Sequence, residues 1–256
     1  ISINNFLLWD DFIENGSGDF YFEELPFDHP LYIMYSSGTT GLPKSIVHSA
    51  GGTLIQHLKE LQLHTDLNRN DIIFYFTTCG WMMWNWLVSS LTLGATIVLY
   101  DGNPFYPDGT VLHKLAHEWD ITVFGTSAKY ISSLEAAKIK PREISSYPKL
   151  RTILSTGSPL VEENYDFVYK YWKKDVQLAS ISGGTDIISC FALGNPILPI
   201  YRGELQCRGL GMKVEAYNKA GSPIIDEKGE LVCTKAFPSM PIYFWNDTNG
   251  KKYHSA

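Results

Sequence analysis

Five short apolar runs alternate with segments of helical periodicity, and this alternation constrains the fold more than any other feature. The runs occupy residues 72–76, 95–100, 121–124, 150–154 and 176–181. Between them the spacing of apolar residues predicts helices over 81–93, 111–119, 128–137 and 162–172. Strands that are apolar throughout and separated by helices are typical of a mostly parallel sheet covered on both faces. The sequence therefore predicts an α/β fold with helices flanking the sheet.

The segments before and after this alternation have a different composition. Residues 1–30 contain one short amphipathic pattern, at 9–13, and form an incomplete N-terminal segment. Glycine and proline become frequent after residue 195, and strand-like pieces at 212–217 and 230–233 predict a small β-rich subdomain. We therefore expect an α/β core over 31–195 and a β-rich subdomain over 196–256. The chain begins at Ile1 and ends at Ala256, and we expect both ends to be cut from a longer protein.

Composition and charge disfavour several classes of protein. A net charge of −6 disfavours nucleic acid as a partner, because a phosphate backbone attracts basic surfaces. Apolar runs are too short for a membrane span. His113 and His117 lie four apart, and a solvated helix face is the favoured interpretation over a metal site. The cysteines form no CxxC pair and are predicted to be buried free thiols of a cytosolic protein; they are Cys79, Cys190, Cys207 and Cys233.

A stretch rich in hydroxyl groups and glycine follows an apolar run at 31–35. Residues 35–44 read YSSGTTGLPK. Glycine allows backbone N–H groups to approach a phosphate closely, and hydroxyls and lysine add donors and positive charge. Leu42 and Pro43 separate Gly41 from Lys44, which excludes a Walker-type loop. On composition alone, a phosphate site and an ordinary loop are about equally favoured.

Two further polar clusters follow predicted strands. Residues 155–159 (STGSP) come after the strand that ends at Leu154, and residues 182–186 (SGGTD) come after the strand that ends at Ile181. Ligands of open parallel sheets bind at the carboxyl ends of strands, and we place the 35–44 loop at such an end as well. Asp186 supplies a hard oxygen ligand suited to Mg²⁺.

An aromatic segment, GWMMWNW at 80–86, forms a fourth candidate. A helix places Trp81 and Asn85 on one face, where an aromatic wall could exclude water from a small-molecule pocket. For Trp86, a side chain buried in the core is the favoured interpretation.

In chain order, these segments resemble the adenylate-forming acyl-CoA synthetase superfamily. The matching segments are 35–44, 80–81, 155–159, 183–186 and 229–232 (GELV), and 47–53, 80–86 and 180–190 are most similar to the branch that activates acetoacetate. The resemblance implies part of the superfamily's large N-terminal domain. It also implies an ATP-dependent ligase that forms an acyl-AMP and pyrophosphate, then transfers the acyl group to CoA.

The resemblance implies a role for each matched residue. Lys44, Thr185 and Asp186 would serve catalysis, with Asp186 holding Mg²⁺. Residues that would bind the phosphates of ATP are Ser36, Ser37, Gly38, Thr39, Thr40, Gly41, Lys44, Gly184 and Thr185. Residues that would flank the adenine are Gly157, Ser158 and Pro159. Many relatives carry glutamate at the position of Asp186.

The same resemblance implies an acyl pocket made by Trp81, Met82, Thr156 and Gly183. Relatives that use acetate carry tryptophan at the position of Gly183, where it closes the pocket. Glycine would therefore admit a longer acid, and we expect Gly183→Trp to disfavour acetoacetate relative to acetate.

Several motifs of the superfamily do not occur before Ala256. They are the ribose-binding motif, the hinge segment and a C-terminal lid domain with a catalytic lysine. Residues 1–256 alone are therefore expected to be weakly active or inactive. Three alternatives stay open: a ligase for another short-chain acid, a truncated non-catalytic nucleotide-binding module, and a purely structural α/β protein.

Overall fold

The computed structural model describes residues 6–14, 18, 20–36 and 43–255. Its strands are β1 (Pro30–Ser36), β2 (Lys44–Ser49), β3 (Ile72–Tyr75), β4 (Thr96–Val98), β5 (Val123–Ser127), β6 (Thr152–Thr156), β7 (Gln177–Ser180), β8 (Ser182–Gly184), β9 (Ser189–Leu193), β10 (Cys207–Arg208), β11 (Val214–Tyr217), β12 (Pro223–Ile224), β13 (Glu230–Cys233) and β14 (Tyr243–Phe244). Its α-helices are α1 (Trp9–Glu14), α2 (Ala50–Leu58), α3 (Met82–Ser89), α4 (Val111–Glu118), α5 (Ala128–Ala136), α6 (Glu162–Phe167) and α7 (Lys251–His254).

The five predicted core strands form one parallel sheet in the order β4-β3-β5-β6-β7. Successive residues of these strands face opposite cores, as the two-residue period of a strand requires. In β5, Val123 packs with Trp86 in one core, and Phe124 packs with Leu112 in the other. The predicted α/β fold is confirmed, and the sheet is covered on both faces.

Three helices continue into segments of different pitch. A π-helical segment, Lys59–His64, extends α2, and a second, Val168–Trp172, extends α6. A 3₁₀ segment, Ser90–Leu93, extends α3 and stops at Gly94. Gly94 has φ +74°, the left-handed conformation that ends helices and that glycine adopts without steric cost.

The strand before the 35–44 loop lies outside the parallel sheet, which corrects our placement of that loop. β1 pairs antiparallel with β2, so that Ser36 faces Lys44 across the end of a hairpin. A connection this short cannot make a parallel crossover, which needs a dozen or more residues. Residues 37–42 lie outside the described residues.

Two small sheets join segments from both sides of residue 195. β14 pairs with β2, and β10 pairs with β9. A third small sheet, β12-β11-β13, consists wholly of later residues. The division of the chain at residue 195 stays a prediction, with backbone pairing crossing it at two places.

Two expectations about single residues are wrong, and one is confirmed. His113 is fully buried, where it stacks on Phe124, instead of lying on a solvated helix face. Burial lowers the pKa of His113 to about 3, so the core holds the neutral imidazole. Cys79 is an exposed thiol. Trp86 lies in the core, as expected.

Within the part of the chain that the structure describes, no helix is long and apolar enough to cross a bilayer.

Candidate active site

Two adjoining cavities open at the carboxyl ends of β6 and β7. The larger cavity measures about 400 Å³ and is lined by residues 156–160, 180–183 and 203–205. The smaller cavity measures about 210 Å³ and is lined by residues 81–83, 156–157, 181, 183–185 and 189–190. Four residues line both: Thr156, Gly157, Ile181 and Gly183. A ligand in one cavity would therefore lie next to a ligand in the other.

The junction between the cavities is held by the ends of two parallel strands. Thr156 is the last residue of β6, and its hydroxyl donates a hydrogen bond of 2.8 Å to the carbonyl of Ile181. Gly157 follows with φ +90°, and a Cβ built there would lie 3.6 Å from the Trp81 ring. Glycine at this position avoids the steric cost of a positive φ and leaves room for the indole.

The smaller cavity has an aromatic wall and a backbone wall. Trp81 precedes α3 and packs edge-to-face on Tyr75, with ring centroids 6.0 Å apart. The backbone wall belongs to β9, whose Ser189 and Cys190 line the cavity. Burial, followed by the nearby Glu60 carboxylate, raises the pKa of the Cys190 thiol well above its usual value. Cys190 therefore presents a protonated, weakly polar surface.

The four residues expected in the acyl pocket lie together in the smaller cavity. They are Trp81, Met82, Thr156 and Gly183. Those expected to flank the adenine, Gly157, Ser158 and Pro159, lie together in the larger cavity. The ends of two neighbouring strands and the start of α3 thus converge at one point of the fold.

Gly183 is not an open position into which a larger side chain would fit without displacing its neighbours. A Cβ built on Gly183 would lie 2.1 Å from the carbonyl oxygen of Ser189 and 2.8 Å from the Cα of Cys190. The register of β8 against β9 shifts between Ser182 and Gly183, which brings the two backbones close here. A tryptophan at 183 therefore requires β8 and β9 to separate, in addition to filling the cavity.

Two of the expected phosphate-binding residues line the smaller cavity. Gly184 and Thr185 line the smaller cavity, and the Thr185 carbonyl lies 3.2 Å from Nε2 of buried His48. Asp186 follows with an exposed side chain. Of the 35–44 loop, Ser36 and Lys44 are described, and the Lys44 ammonium lies 5.5 Å from the centre of the Phe244 ring. Ser37, Gly38, Thr39, Thr40 and Gly41 lie outside the described residues.

Asp186 was also expected to hold a metal ion. Among the described residues, no cluster of three or more His, Cys, Asp or Glu side chains could do so alone. An exposed single carboxylate fits Mg²⁺ nonetheless, because this ion usually keeps its waters and binds through one or two carboxylates together with substrate phosphates.

Two parts of the site were not predicted from the sequence. Residues 203–205 line the larger cavity and are anchored by Tyr165, whose hydroxyl donates to the Glu204 carbonyl at 2.8 Å. Ser189 and Cys190 line the smaller cavity. Gly203, with φ +80°, was visible as a turn residue, but its position beside β6 depends on long-range packing.

A family of known proteins matches most of this chain. The family described as "AMP-binding enzyme" matches residues 10–241. The chain belongs to this family.

Relatives within the AMP-binding enzymes match in sequence and in structure. The chain is 60% identical to "Acetoacetyl-coenzyme A synthetase" of Rhizobium meliloti (strain 1021), over 94% of the chain and 37% of the relative. It is 57% identical to "Acetoacetyl-CoA synthetase" of Gallus gallus, over 99% of the chain and 39% of the relative. The solved "Acetoacetyl-CoA Synthetase from Streptomyces lividans" superposes with a TM-score of 0.88 at 46% identity, covering 94% of this chain and 38% of that one. The predicted resemblance is confirmed, and the chain spans less than two fifths of the length of each of these relatives.

Proposed function

We propose that this chain is the AMP-binding part of an acetoacetate–CoA ligase. The observation that carries the proposal is the pair of contiguous cavities, one flanked by residues matched to adenine and the other by residues matched to an acyl group. The substrates would be ATP, acetoacetate and CoA, and a cytosolic location fits these small molecules.

The sizes of the two cavities suit two different ligands. Pockets for drug-sized molecules measure about 300–1,000 Å³, and the larger cavity, at about 400 Å³, lies in this range. The smaller cavity, at about 210 Å³, is suited to a short acid. Their shared residues, including Thr156 and Gly183, mark where the acid's carboxylate and the α-phosphate of ATP would meet.

In this arrangement catalysis is mainly positioning and charge neutralisation. The carboxylate oxygen of acetoacetate attacks the α-phosphorus, which forms the acyl-AMP and releases pyrophosphate. The thiolate of CoA then attacks the acyl carbon and releases AMP. Thr185 would donate to an α-phosphate oxygen, and Lys44, together with Ser36, Ser37, Gly38, Thr39, Thr40 and Gly41, would hold the β- and γ-phosphates. Mg²⁺, held by Asp186, would neutralise phosphate charge when bound.

The proposal is tested by acetoacetate-dependent exchange of pyrophosphate into ATP, assayed in the intact protein that carries this chain and in residues 1–256 alone. We expect exchange by the intact protein. Exchange by the intact protein but not by residues 1–256 would assign the activity to the longer chain and a nucleotide-binding role to this part. An intact protein that exchanges only with another short acid, or not at all, would overturn the acetoacetate assignment.

Two substitutions test the phosphate-binding roles. Lys44→Ala and Asp186→Asn each remove a charged partner of ATP, and we expect ATP affinity to fall roughly 10- to 100-fold, as for a lost charged hydrogen bond. Both positions are exposed, so folding should be unaffected. Matched controls are Lys149→Ala and Asp226→Asn, also at exposed positions. Unchanged ATP affinity in both test variants would favour a purely structural α/β protein.

A further inference from the structure

Glu60 carries a buried carboxylate that the proposed reaction does not use. Its side chain is completely inaccessible to solvent, and it lies in the π-helical segment Lys59–His64. A π turn interrupts the regular pitch of a helix and is often found at functional sites. A carboxylate in such a place is costly unless hydrogen bonds and charge compensate for its lost hydration.

The partners of Glu60 are hydrogen-bond donors from two different parts of the fold. Oε2 accepts from Nε1 of Trp86 at 3.0 Å. Oε1 accepts from the backbone N–H of Cys190 at 3.2 Å and from the hydroxyl of Ser189. Trp86 belongs to α3, and Ser189 and Cys190 begin β9.

Both elements contribute walls to the smaller cavity. The residues that begin α3, and Trp81 before it, form one wall, while Ser189 and Cys190 form the other. The Glu60 carboxylate, which does not itself line the cavity, therefore connects the two elements that do. Gly183 is in contact with the same strand, because a Cβ added to Gly183 would lie only 2.1 Å from the Ser189 carbonyl oxygen.

The same helix secures this strand at further points. Gln56 donates through Nε2 to Ser189 Oγ at 2.8 Å and to Glu60 Oε1 at 3.2 Å. His57 lies with Nε2 2.6 Å from the carbonyl of Ile188. The Lys59 ammonium lies 3.4 Å from Glu60 Oε1 and supplies the compensating charge.

We propose that Glu60 is a positioning residue that sets the width of the smaller cavity, and thereby the length of acid that the site prefers. The inference rests on the proposed function, since it concerns the acid that this cavity would hold. A longer acid such as acetoacetate contacts more of both walls than acetate does. Loosening the walls therefore weakens the longer acid more.

The test is Glu60→Gln in the intact protein, with kcat/KM measured for acetate, propionate, butyrate and acetoacetate, and with the KM for ATP measured alongside. Glutamine keeps the shape of the side chain but replaces one carboxylate oxygen with an N–H₂ group. That group faces a donor of one wall, which therefore loses its hydrogen-bond acceptor. We expect the ratio of kcat/KM for acetoacetate to that for acetate to fall roughly tenfold, the order of discrimination that one small group supplies in a pocket. The KM for ATP should be unchanged.

A milder variant and a control separate positioning from general stability. Trp86→Phe removes only the Nε1 donor and should shift the acid ratio in the same direction by less. Asp71→Asn removes another buried carboxylate, whose partners Thr122 and Arg151 do not line the cavity, and should lower stability without changing the acid ratio.

The outcomes distinguish this inference from the proposed function. Equal loss of kcat/KM for every acid in Glu60→Gln, or an unchanged ratio in both Glu60→Gln and Trp86→Phe, would overturn the positioning role. A wild-type protein that prefers another acid would overturn the acetoacetate assignment. The change in ranking around that preferred acid would then test the role of Glu60 by the same measurement.

Discussion

The two edges of the parallel sheet use the same strands but treat polar groups in opposite ways. At the amino edge, Asp71 precedes β3 and Arg151 precedes β6, and their side chains form a two-point ion pair with N···O distances of 2.9 and 3.2 Å. Arg151 also donates to the carbonyls of Thr65 and Asp66 at 2.8 and 2.7 Å. These donors and acceptors of the amino edge therefore satisfy one another.

At the carboxyl edge, hydrogen bonds connect the elements around two cavities, and the cavities themselves stay open. Thr156 joins the ends of β6 and β7, and Glu60 joins α3 to β9 from behind. Glycines at 157 and 183 keep side chains out of the junction. The comparison indicates that one sheet separates its roles by edge, with a stabilising ion pair at the amino edge and the proposed binding site at the carboxyl edge.

The strongest test of this division between the edges is to remove the ion pair at the amino edge. Arg151→Met leaves Asp71 buried without its partner. We expect the free energy of unfolding to fall by about 3 kcal/mol, the lower end for a buried pair, because a third of the Arg151 side chain is exposed (33%, against 6% for Asp71). Urea unfolding measures the loss, and ATP affinity of the folded protein should be unchanged.

The control for this prediction is an exposed arginine. Arg202→Met removes ion pairs to Glu162 and Asp166 from a side chain that is half exposed, and such surface pairs contribute little to stability. Equal losses in Arg151→Met and Arg202→Met, or a loss of ATP affinity in Arg151→Met, would contradict the division of roles between the edges.

The next prediction concerns the junction of the cavities, where two neighbouring glycines differ. Gly183→Ala places a Cβ against the backbone of β9, 2.1 Å from the Ser189 oxygen, whereas Gly184→Ala meets Asp186 at an ordinary 3.6 Å. We expect Gly183→Ala to cost about 2 kcal/mol, the usual range for overpacking, and to weaken acid binding. Unfolding in urea and titration with acetoacetate measure both effects.

Gly184→Ala serves as the matched control and should change stability little. If the two variants proved equally stable, the close approach of β8 to β9 would not describe the protein. If Gly183→Ala lost stability but bound acetoacetate normally, Gly183 would not belong to the acid site.

Local sequence patterns predicted the sheet and the residues at its carboxyl edge because both depend on short stretches of chain. The apolar runs at 72–76 and 121–124 indicated buried strands, and the polar clusters after β6 and β7 indicated a binding edge. The same reasoning misplaced β1, because an apolar run of strand length reads alike in parallel and antiparallel sheets. Only the short connection to β2 distinguished them.

Long-range contacts account for what the sequence did not predict. Glu60 meets Cys190 across 130 positions of the chain, and nothing in the local pattern of α2 marks a buried acid. His113 looked like a surface residue because histidine is polar, yet Phe124 and Trp172 enclose its ring. Both cases are tertiary packing overriding local composition, and neither periodicity nor spacing could have shown them.

The smallest prediction uses pH to distinguish the two edges. Near the carboxyl edge, His48 is fully buried, with Nε2 and Nδ1 each 3.2 Å from a carbonyl, of Thr185 and of Ser239. Burial lowers the pKa of His48 below its ordinary 6.5, and the two carbonyls only partly offset this. The unfolded chain therefore binds a proton first as pH falls. The stability that neutral His48 contributes is present above about pH 6.5 and is lost as pH falls toward its folded pKa.

At the amino edge, the corresponding loss lies at lower pH. Burial alone would raise the pKa of Asp71, but the hydrogen bond from Arg151 and further donors lower it below its ordinary value. Stability from Asp71 is thus present above about pH 4 and is lost only as pH falls through the depressed pKa. Acid unfolding should proceed in two windows, the first set by histidines and the second by Asp71.

His48→Gln tests the first window. One histidine contributes at most about 1.4 kcal/mol per pH unit, so the free energy of unfolding measured in urea between pH 7 and pH 5 should fall less steeply in this variant than in wild type. His117→Gln, at an exposed position, controls for the loss of a histidine as such. Because Thr185 lines the smaller cavity, a slope unchanged in His48→Gln would mean that His48 does not link this part of the cavity to Ser239. A flatter slope would show that neutral His48 stabilises this part of the cavity. Acidification would then destabilise it at a higher pH than the amino edge.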